Sequence, residues 1–382
     1  MASALELFPE CRREPVSFRF DFFLERILYH PEHGYYSQCP SFGKEGDFYT
    51  SPGVHSFFAE ILAEQFLQGW EEESKPEFFT LLELGPGDAT LASQLLTTIR
   101  DRFPDFCRSI RYLGLEVSSR LAAQQRQRLS QFENARIFCR HFSEIELEPF
   151  SGCIFSNEFF DALPFRRFQR GSSGWLECFV EISPNGIQEQ WHGADVKPAR
   201  FTSGKRQPPV ETSSAALLFH KHPMPAGGIV EWRDQFQAFY QFASRVLRRG
   251  SMFHFDYGDL EENLDPMGTM RTFRRHHLGA DPYVHLGEQD VTASVNFSQL
   301  LALGDSYGFE SRLQGQREYL IDRGILQKIA VRFEGKTPEK HLREKLAIKN
   351  LIVPGGISDH FKVLIQRRIQ NGTAKDAKSA KL

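Results

Sequence analysis

Apolar and polar residues change their period along this chain, and each change predicts a different element. The first period is helical. Phe18, Phe22, Phe23, Ile27 and Leu28 fall on one face, as do Phe57, Phe58, Ile61, Leu62, Phe66 and Leu67, which predicts a helical N-terminal cap over residues 1–75. From Phe79 short apolar runs bounded by turn residues alternate with helical spacing. They predict strands at 79–84, 110–116, 135–139 and 152–156, with helices at 88–102 and 118–131. The alternation breaks over 165–231, where 165–168, 175–182 and 186–191 read as an antiparallel β insertion with a turn at 171–174 and a loop at Pro208-Pro209. It resumes with a helix at 232–247 stopped by Arg248-Arg249-Gly250, a strand at 251–255 and a helix at 297–303. Strands at 310–314 and 361–368 and helices at 317–331 and 338–350 complete it. Residues 261–293 read as a long lid loop, and 371–382 as a small, polar, disordered tail.

Strands alternating with helices over 76–370 predict an α/β fold with a doubly wound, Rossmann-like, seven-stranded sheet. With 382 residues, 41% of them hydrophobic, the chain has ample material for such a core. The 46 basic and 49 acidic residues give a net charge of −3, which argues against a nucleic-acid partner. The six cysteines, Cys11, Cys39, Cys107, Cys139, Cys153 and Cys178, contain no C-x-x-C pair, so neither a zinc site nor a disulfide framework is expected. His276, His277 and His285 do not have zinc-site spacing, and no metal is expected there. Glu6, Glu10, Arg12, Arg13 and Glu14 interrupt the apolar N-terminal residues, and no apolar run approaches the ~20 residues of a membrane span. The expectation is a soluble, reduced, cytoplasmic chain with no membrane partner, monomeric or homodimeric.

The chemistry concentrates where the first strand ends. Thr80 to Leu84 runs into Gly85-Pro86-Gly87, and Leu91, Leu95 and Leu96 then take helical spacing: strand, glycine turn, helix. Such a turn lets backbone lie against a ligand and points a helix amino terminus at it. A dinucleotide fingerprint needs a third glycine where Thr90 stands, which counts against an NAD-linked oxidoreductase. Glu83 beside the turn and Glu116 at the end of the second strand suit a cationic amino acid and a ribose diol. S-adenosylmethionine has both. A second centre is Asn157-Glu158-Phe159-Phe160-Asp161, where the two acids, three apart, project to one side of a helical turn and can grip a cation. Tyr257, after the fifth strand, is placed to orient an acceptor. Thr50-Ser51-Pro52 reads equally as a helix cap and as a hydroxyl pair for a ligand carboxylate.

Several blocks in one order carry a resemblance. Tyr29-His30-Pro31, Gly34-Tyr35-Tyr36, the run from Gly46 to Pro52, Glu83 to Gly87, Asn157 to Pro164, Asp256-Tyr257-Gly258 and Gly268 to Arg271 resemble the MidA-like methyltransferases. That group includes the mitochondrial complex I assembly-factor methyltransferase. The resemblance implies an S-adenosylmethionine-dependent transfer to a protein arginine, with a respiratory complex I-type subunit as the kind of target. It implies a cofactor site at Gly46, Thr50, Ser51, Pro52, Glu83, Gly85, Gly87, Glu116 and Asn157, and catalytic roles for Glu158, Asp161 and Tyr257. Two positions depart from the family: Ala89 stands where glycine is usual, and Asp88 where a basic or neutral residue is. Ala89 is tolerable if its backbone is helical. These departures keep open a cofactor-binding assembly protein without catalysis, and the acceptor could also be a small molecule.

Overall fold

The computed structural model describes residues 4–38, 56–193, 201–202, 224–274, 277–334, 352–353 and 360–368. Seven strands form the central sheet: β1 Phe79–Leu84, β2 Ile110–Glu116, β3 Ala135–Cys139, β4 Phe150–Asn157, β5 Leu247–Asp259, β6 Phe309–Gly315 and β7 Phe361–Arg368. Their order is β3-β2-β1-β4-β5-β7-β6, and the two-residue strand Val295–Asn296 adds to the end of β5. Strands β1 to β5 pair in parallel, while β7 is antiparallel to both β5 and β6. The chain runs outward from β1 to β3 and then returns to lay β4 on the other side of β1. That reversal opens a crevice beyond the carboxyl ends of β1 and β4.

Helix α1 Phe20–Tyr29 packs in a separate core with the insertion, while both faces of the central sheet are covered by α2 Ser56–Glu72, α3 Thr90–Arg102, α4 Ser119–Arg128, α5 Gln235–Val246 and α6 Phe297–Ser306 together with their connections. All six residues of β1 are buried: Phe79 and Leu81 join a core with α2 and α3, and Leu82 and Leu84 one with α5 and α6. Double coverage removes the usual apolar–polar alternation of a strand and leaves a continuous apolar run. Thr80 and Glu83 are its polar positions, and Glu83 alone is ionisable.

The structure differs from the sequence reading at several elements. Phe18, placed on a helix face by periodicity, lies in the strand Val16–Arg19, antiparallel to Trp175–Ser183, so the N-terminal segment shares a sheet with the insertion. Ile229–Trp232 also belongs to that sheet, pairing with Arg166–Arg170, and α5 starts after it. The stretch read as a helix at 317–331 is two helices, Gln316–Asp322 and Ile325–Phe333, broken at Gly324 with φ 79°. Residues 261–293 are not an open loop: Arg271–Arg274, His277–Gly279 and Asp290–Thr292 form a three-stranded antiparallel sheet. Together, the N-terminal segment, the insertion and this small sheet build a core of their own around Phe8, Phe23, Phe165, Val180 and Val291. The helix expected at 338–350, the Pro208-Pro209 loop and the tail from 371 lie outside the described residues.

Candidate functional site

The turn after β1 is left-handed at Gly85 and Gly87, with φ 60° and 57°, which glycine adopts without strain. A Cβ at Gly85 would come within 2.9 Å of the Phe159 ring, whereas one at Gly87 would meet nothing within 4 Å. Gly85 therefore packs on the turn that follows β4, and Gly87 borders open space. Ala89 is also left-handed, at φ 59°, and fully buried. The expectation of a helical Ala89 is thus corrected, and its Cβ stores about 1–2 kcal/mol of strain. Asp88 is held at the start of α3: its carboxylate accepts the Thr90 amide at 2.9 Å, the Thr90 hydroxyl at 2.7 Å and Arg128 at 2.7 Å. Its charge is matched by that arginine.

Glu83 lies in register with Gly114, so β2 presents Tyr112 and Glu116 on the same face. Each acid has its own partners. Tyr112 donates to Glu83 Oε2 at 2.5 Å, and burial pushes the Glu83 carboxyl up to about 7 against the stabilising effect of that bond. Glu116 Oε1 accepts the Val117 and Ser118 amides, both at 2.9 Å, and its Oε2 accepts Gln125 Nε2 at 3.0 Å. The same Nε2 donates to the Gly87 carbonyl at 2.8 Å, linking the tip of β2 to the glycine turn. Burial raises the Glu116 pKa, and these donors oppose it. Glu116 Oε2 has a lone pair left for one more donor.

At the end of β4 Glu158 adopts φ 51°, fixed by its amide bonding to the Phe255 carbonyl at 2.9 Å. A bulky residue held in that region is a strained position, of the kind that gathers at functional sites. Asn157 donates to Glu158 Oε1 at 3.2 Å, and its own Oδ1 is shielded and unpartnered. Asp256, from β5, accepts the amides of Phe159 at 3.1 Å, Phe160 at 2.8 Å and Tyr257 at 2.9 Å. The Asp161 carboxyl accepts Thr292 Oγ1 at 3.3 Å, and burial raises its pKa against the opposing charge of Arg233. Burial and the charge of Asp161 hold Asp256 well above the usual carboxylate range, while Tyr257 is raised by burial and by Glu158, Asp161 and Asp256 around it.

Behind this cluster Arg233, 1% exposed, donates to the carbonyls of Asp161 at 3.0 Å, Leu163 at 3.2 Å, Ala293 at 2.6 Å and Ser294 at 3.3 Å. Above it the N-terminal segment closes down. Tyr29 donates to the Ala162 carbonyl at 2.8 Å, Tyr36 to Asp290 Oδ1 at 3.0 Å, and Arg120 to the Ser37 carbonyl at 3.1 Å. Burial and the charges of Asp290, Glu116 and Asp161 raise the Tyr29 pKa, so one ring feels both the β2 tip and the turn after β4.

Of the residues singled out in the sequence, Glu116, Asn157, Glu158, Asp161 and Tyr257 gather at the carboxyl ends of the strands, with Gly85 and Gly87 beside them. Glu83 sits deeper, 2% exposed. Gly46, Thr50, Ser51 and Pro52 lie outside the described residues. Sequence reasoning missed Asp256, Arg233, Tyr29 and Gln125 as parts of the cluster. Asp256 had a signal, its place at a strand end; Arg233 had none. Among the described residues, no three His, Cys, Asp or Glu side chains converge as a metal would need, and no helix is long and apolar enough to cross a membrane.

Residues 61–313 match the profile of a family of S-adenosyl-L-methionine-dependent methyltransferases. The chain is 28% identical over 307 residues to the mitochondrial protein arginine methyltransferase NDUFAF7 homolog of Drosophila melanogaster, covering 75% of this chain and 66% of that protein. It is 26% identical over 378 residues to mitochondrial protein arginine methyltransferase NDUFAF7 of Homo sapiens, covering 92% and 80%. A crystal structure from Burkholderia thailandensis bound to S-adenosyl-homocysteine superposes with a TM-score of 0.77 at 26% identity, covering 92% of this chain and 88% of that one. The curated relatives are mitochondrial proteins, which overturns the expectation of a cytoplasmic location.

Proposed function

The chain belongs to the family of S-adenosyl-L-methionine-dependent methyltransferases, and from that premise we propose that it transfers the methyl group to a protein arginine side chain. The observation that carries the acceptor class is the gathering of Glu158, Asp161 and Asp256 around Tyr257 at the ends of β4 and β5. Clustered carboxyls select a cation, and a guanidinium is cationic at any ordinary pH. The two curated relatives described above are named as protein arginine methyltransferases, which supports the same choice. A respiratory complex I-type subunit is the target that the MidA-like resemblance implies.

The residues around the glycine turn fit the cofactor. Gly87 borders open space, Glu116 Oε2 has room for a ribose hydroxyl, and Asn157 Oδ1 is a shielded acceptor without a donor. Bound there, the cofactor supplies an electrophilic methyl on a sulfonium. The chain's own task is alignment: Glu158 and Asp161 hold the guanidinium nitrogen in line with that methyl, and Tyr257 fixes the angle of approach. Residues 29–36 close the site through Tyr29 and Tyr36, the latter bonded to Asp290 of the small sheet.

Incubating the protein with methyl-labelled S-adenosylmethionine and a mitochondrial lysate, followed by mass spectrometry of labelled peptides, tests the reading. Methylarginine in a discrete protein is the expected result. Label on lysine or on small molecules overturns the acceptor class, and calorimetric cofactor binding without any transfer supports an assembly protein instead, the reading that the strain at Ala89 keeps in view.

A further inference from the structure

Gln125 is wholly buried on α4, on one face with Leu121 and Ala122. Its Nε2 carries two hydrogens and spends both: one on the Gly87 carbonyl at 2.8 Å, the other on Glu116 Oε2 at 3.0 Å. Those acceptors belong to the glycine turn after β1 and to the tip of β2. A carbonyl and a carboxylate both demand a donor, so the amide can face them only with its nitrogen. The far end of the group is poorly served in return. Gln125 Oε1 is shielded and has no donor among the described residues, and a buried acceptor left in that state weakens a fold. What the arrangement secures is geometry.

The glycine turn is tied to β2 at both of its glycines. The Gly85 amide donates to the Leu115 carbonyl at 2.9 Å, and Gln125 holds the Gly87 carbonyl, which sets the plane of the peptide that follows. Glu116 is held in the same two-sided way. Its Oε1 accepts the Val117 and Ser118 amides, both at 2.9 Å, and Gln125 fixes the second oxygen. Building on the reading of Glu116 as the ribose acceptor, we infer that Gln125 is a positioning residue for the cofactor: it aims Glu116 Oε2 at the ribose diol and locks that oxygen to the glycine turn, so that selectivity for the ribose hydroxyls depends on a side chain that acts only through Glu116 and Gly87.

The physical effect is preorganisation. An acceptor already held in one direction does not have to be ordered when the ligand arrives, so its hydrogen bond appears in full in the binding free energy. Without Gln125 the carboxylate keeps its Oε1 anchors and loses the bond that directs Oε2, and a ribose hydroxyl then meets an acceptor spread over several orientations. The loss falls on the ribose contact. A merely structural Gln125 has a different consequence, because its removal would weaken every ligand of the crevice by the same factor.

The test is calorimetric titration of the full-length protein with S-adenosylhomocysteine and with its 2′-deoxy and 3′-deoxy ribose analogues. The wild type is compared with Gln125→Met, which keeps the length of the side chain and lacks its donors. The wild type is expected to bind S-adenosylhomocysteine at least about tenfold tighter than one or both analogues, the scale of a hydrogen bond to a charged group. In Gln125→Met that preference should shrink to under about threefold. A preference kept in full by the folded variant overturns the inference and leaves Glu116 as the ribose acceptor. A wild type that binds S-adenosylhomocysteine and prefers it to neither analogue overturns the ribose reading, and the inference falls with it. If Gln125→Met does not fold, the wild type decides the matter through nitrogen-15 NMR of its glutamine side chains. The Gln125 Nε2 hydrogens should shift further on binding S-adenosylhomocysteine than on binding the less favoured analogue, and equal shifts overturn the inference.

Discussion

The Tyr112 hydroxyl donates to Glu83 Oε2 at 2.5 Å, and neither side chain is more than 2% exposed. Burial holds Glu83 at about 7 in the folded chain against 4.5 for a free group. Between those values the folded chain binds a proton that the unfolded chain lacks. The resulting stability is complete below about 4.5 and is lost as pH rises through about 7. Glu83→Gln, without cofactor, is expected to gain on the wild type above pH 7 by up to about 3 kcal/mol. Urea unfolding at pH 5.5 and pH 8 measures it, and an equal difference at both would mean that Glu83 carries no such proton.

Gly85 and Gly87 look alike in sequence but face different surroundings. Gly85→Ala drives a methyl into Phe159 and should disturb the Asn157–Asp161 turn, lowering stability by roughly 2 kcal/mol or more. Gly87→Ala puts a methyl into open space where a ligand would lie. It is expected to fold at a cost of about 1 kcal/mol and to lose cofactor affinity at least tenfold by calorimetry. Full affinity in Gly87→Ala would move the ligand away from this turn.

Ala89 holds a left-handed backbone that glycine takes freely. Ala89→Gly should raise stability by up to about 1 kcal/mol, the relief of the strain less the added freedom of the unfolded chain. Denaturant midpoints compare the two, and a lower midpoint would show that the buried methyl outweighs the strain.

Glu158→Gln keeps the shape of the side chain and removes its charge. Cofactor affinity should stay within about threefold while turnover falls by roughly 10²–10⁴-fold, as for loss of a positioned acidic group. Unchanged turnover on an identified acceptor would take Glu158 out of the chemistry.

Arg233→Met removes the cation that satisfies four carbonyls on two separate segments. A loss of about 3–5 kcal/mol is expected, because the carbonyls remain buried and unpaired. Thermal unfolding reports it. A loss under about 1 kcal/mol would mean that water replaces the guanidinium.

Local chemistry made much of this legible. The bounds of β1, β2 and β3 follow from apolar runs closed by Gly85 and by Glu116, and Glu158 and Asp161 stand out as acids at a strand end. What stayed hidden is non-local. Val16–Arg19 is four residues long and joined to a helix, so only its partner Trp175–Ser183, far along the chain, makes it a strand. An arginine in a sequence reads as surface, and Arg233 is buried only because two distant turns offer it carbonyls. Ala89 misled because a helix start was expected to be right-handed, and nothing in the letters records a sign of φ. Asp256 lay inside a recognised block, but its bonds to the Phe159 and Phe160 amides exist only once β4 and β5 are adjacent.

Strand β7 is the last described element of the chain and lies wedged between β5 and β6. During translation, then, one flank of β5 and the inner side of β6 stay unpaired until residues 361–368 have emerged. A premature stop ahead of residue 361 would not trim an appendage: it would withdraw the keystone of half the sheet and leave two sticky edges for chaperones, or for a neighbouring chain, to find.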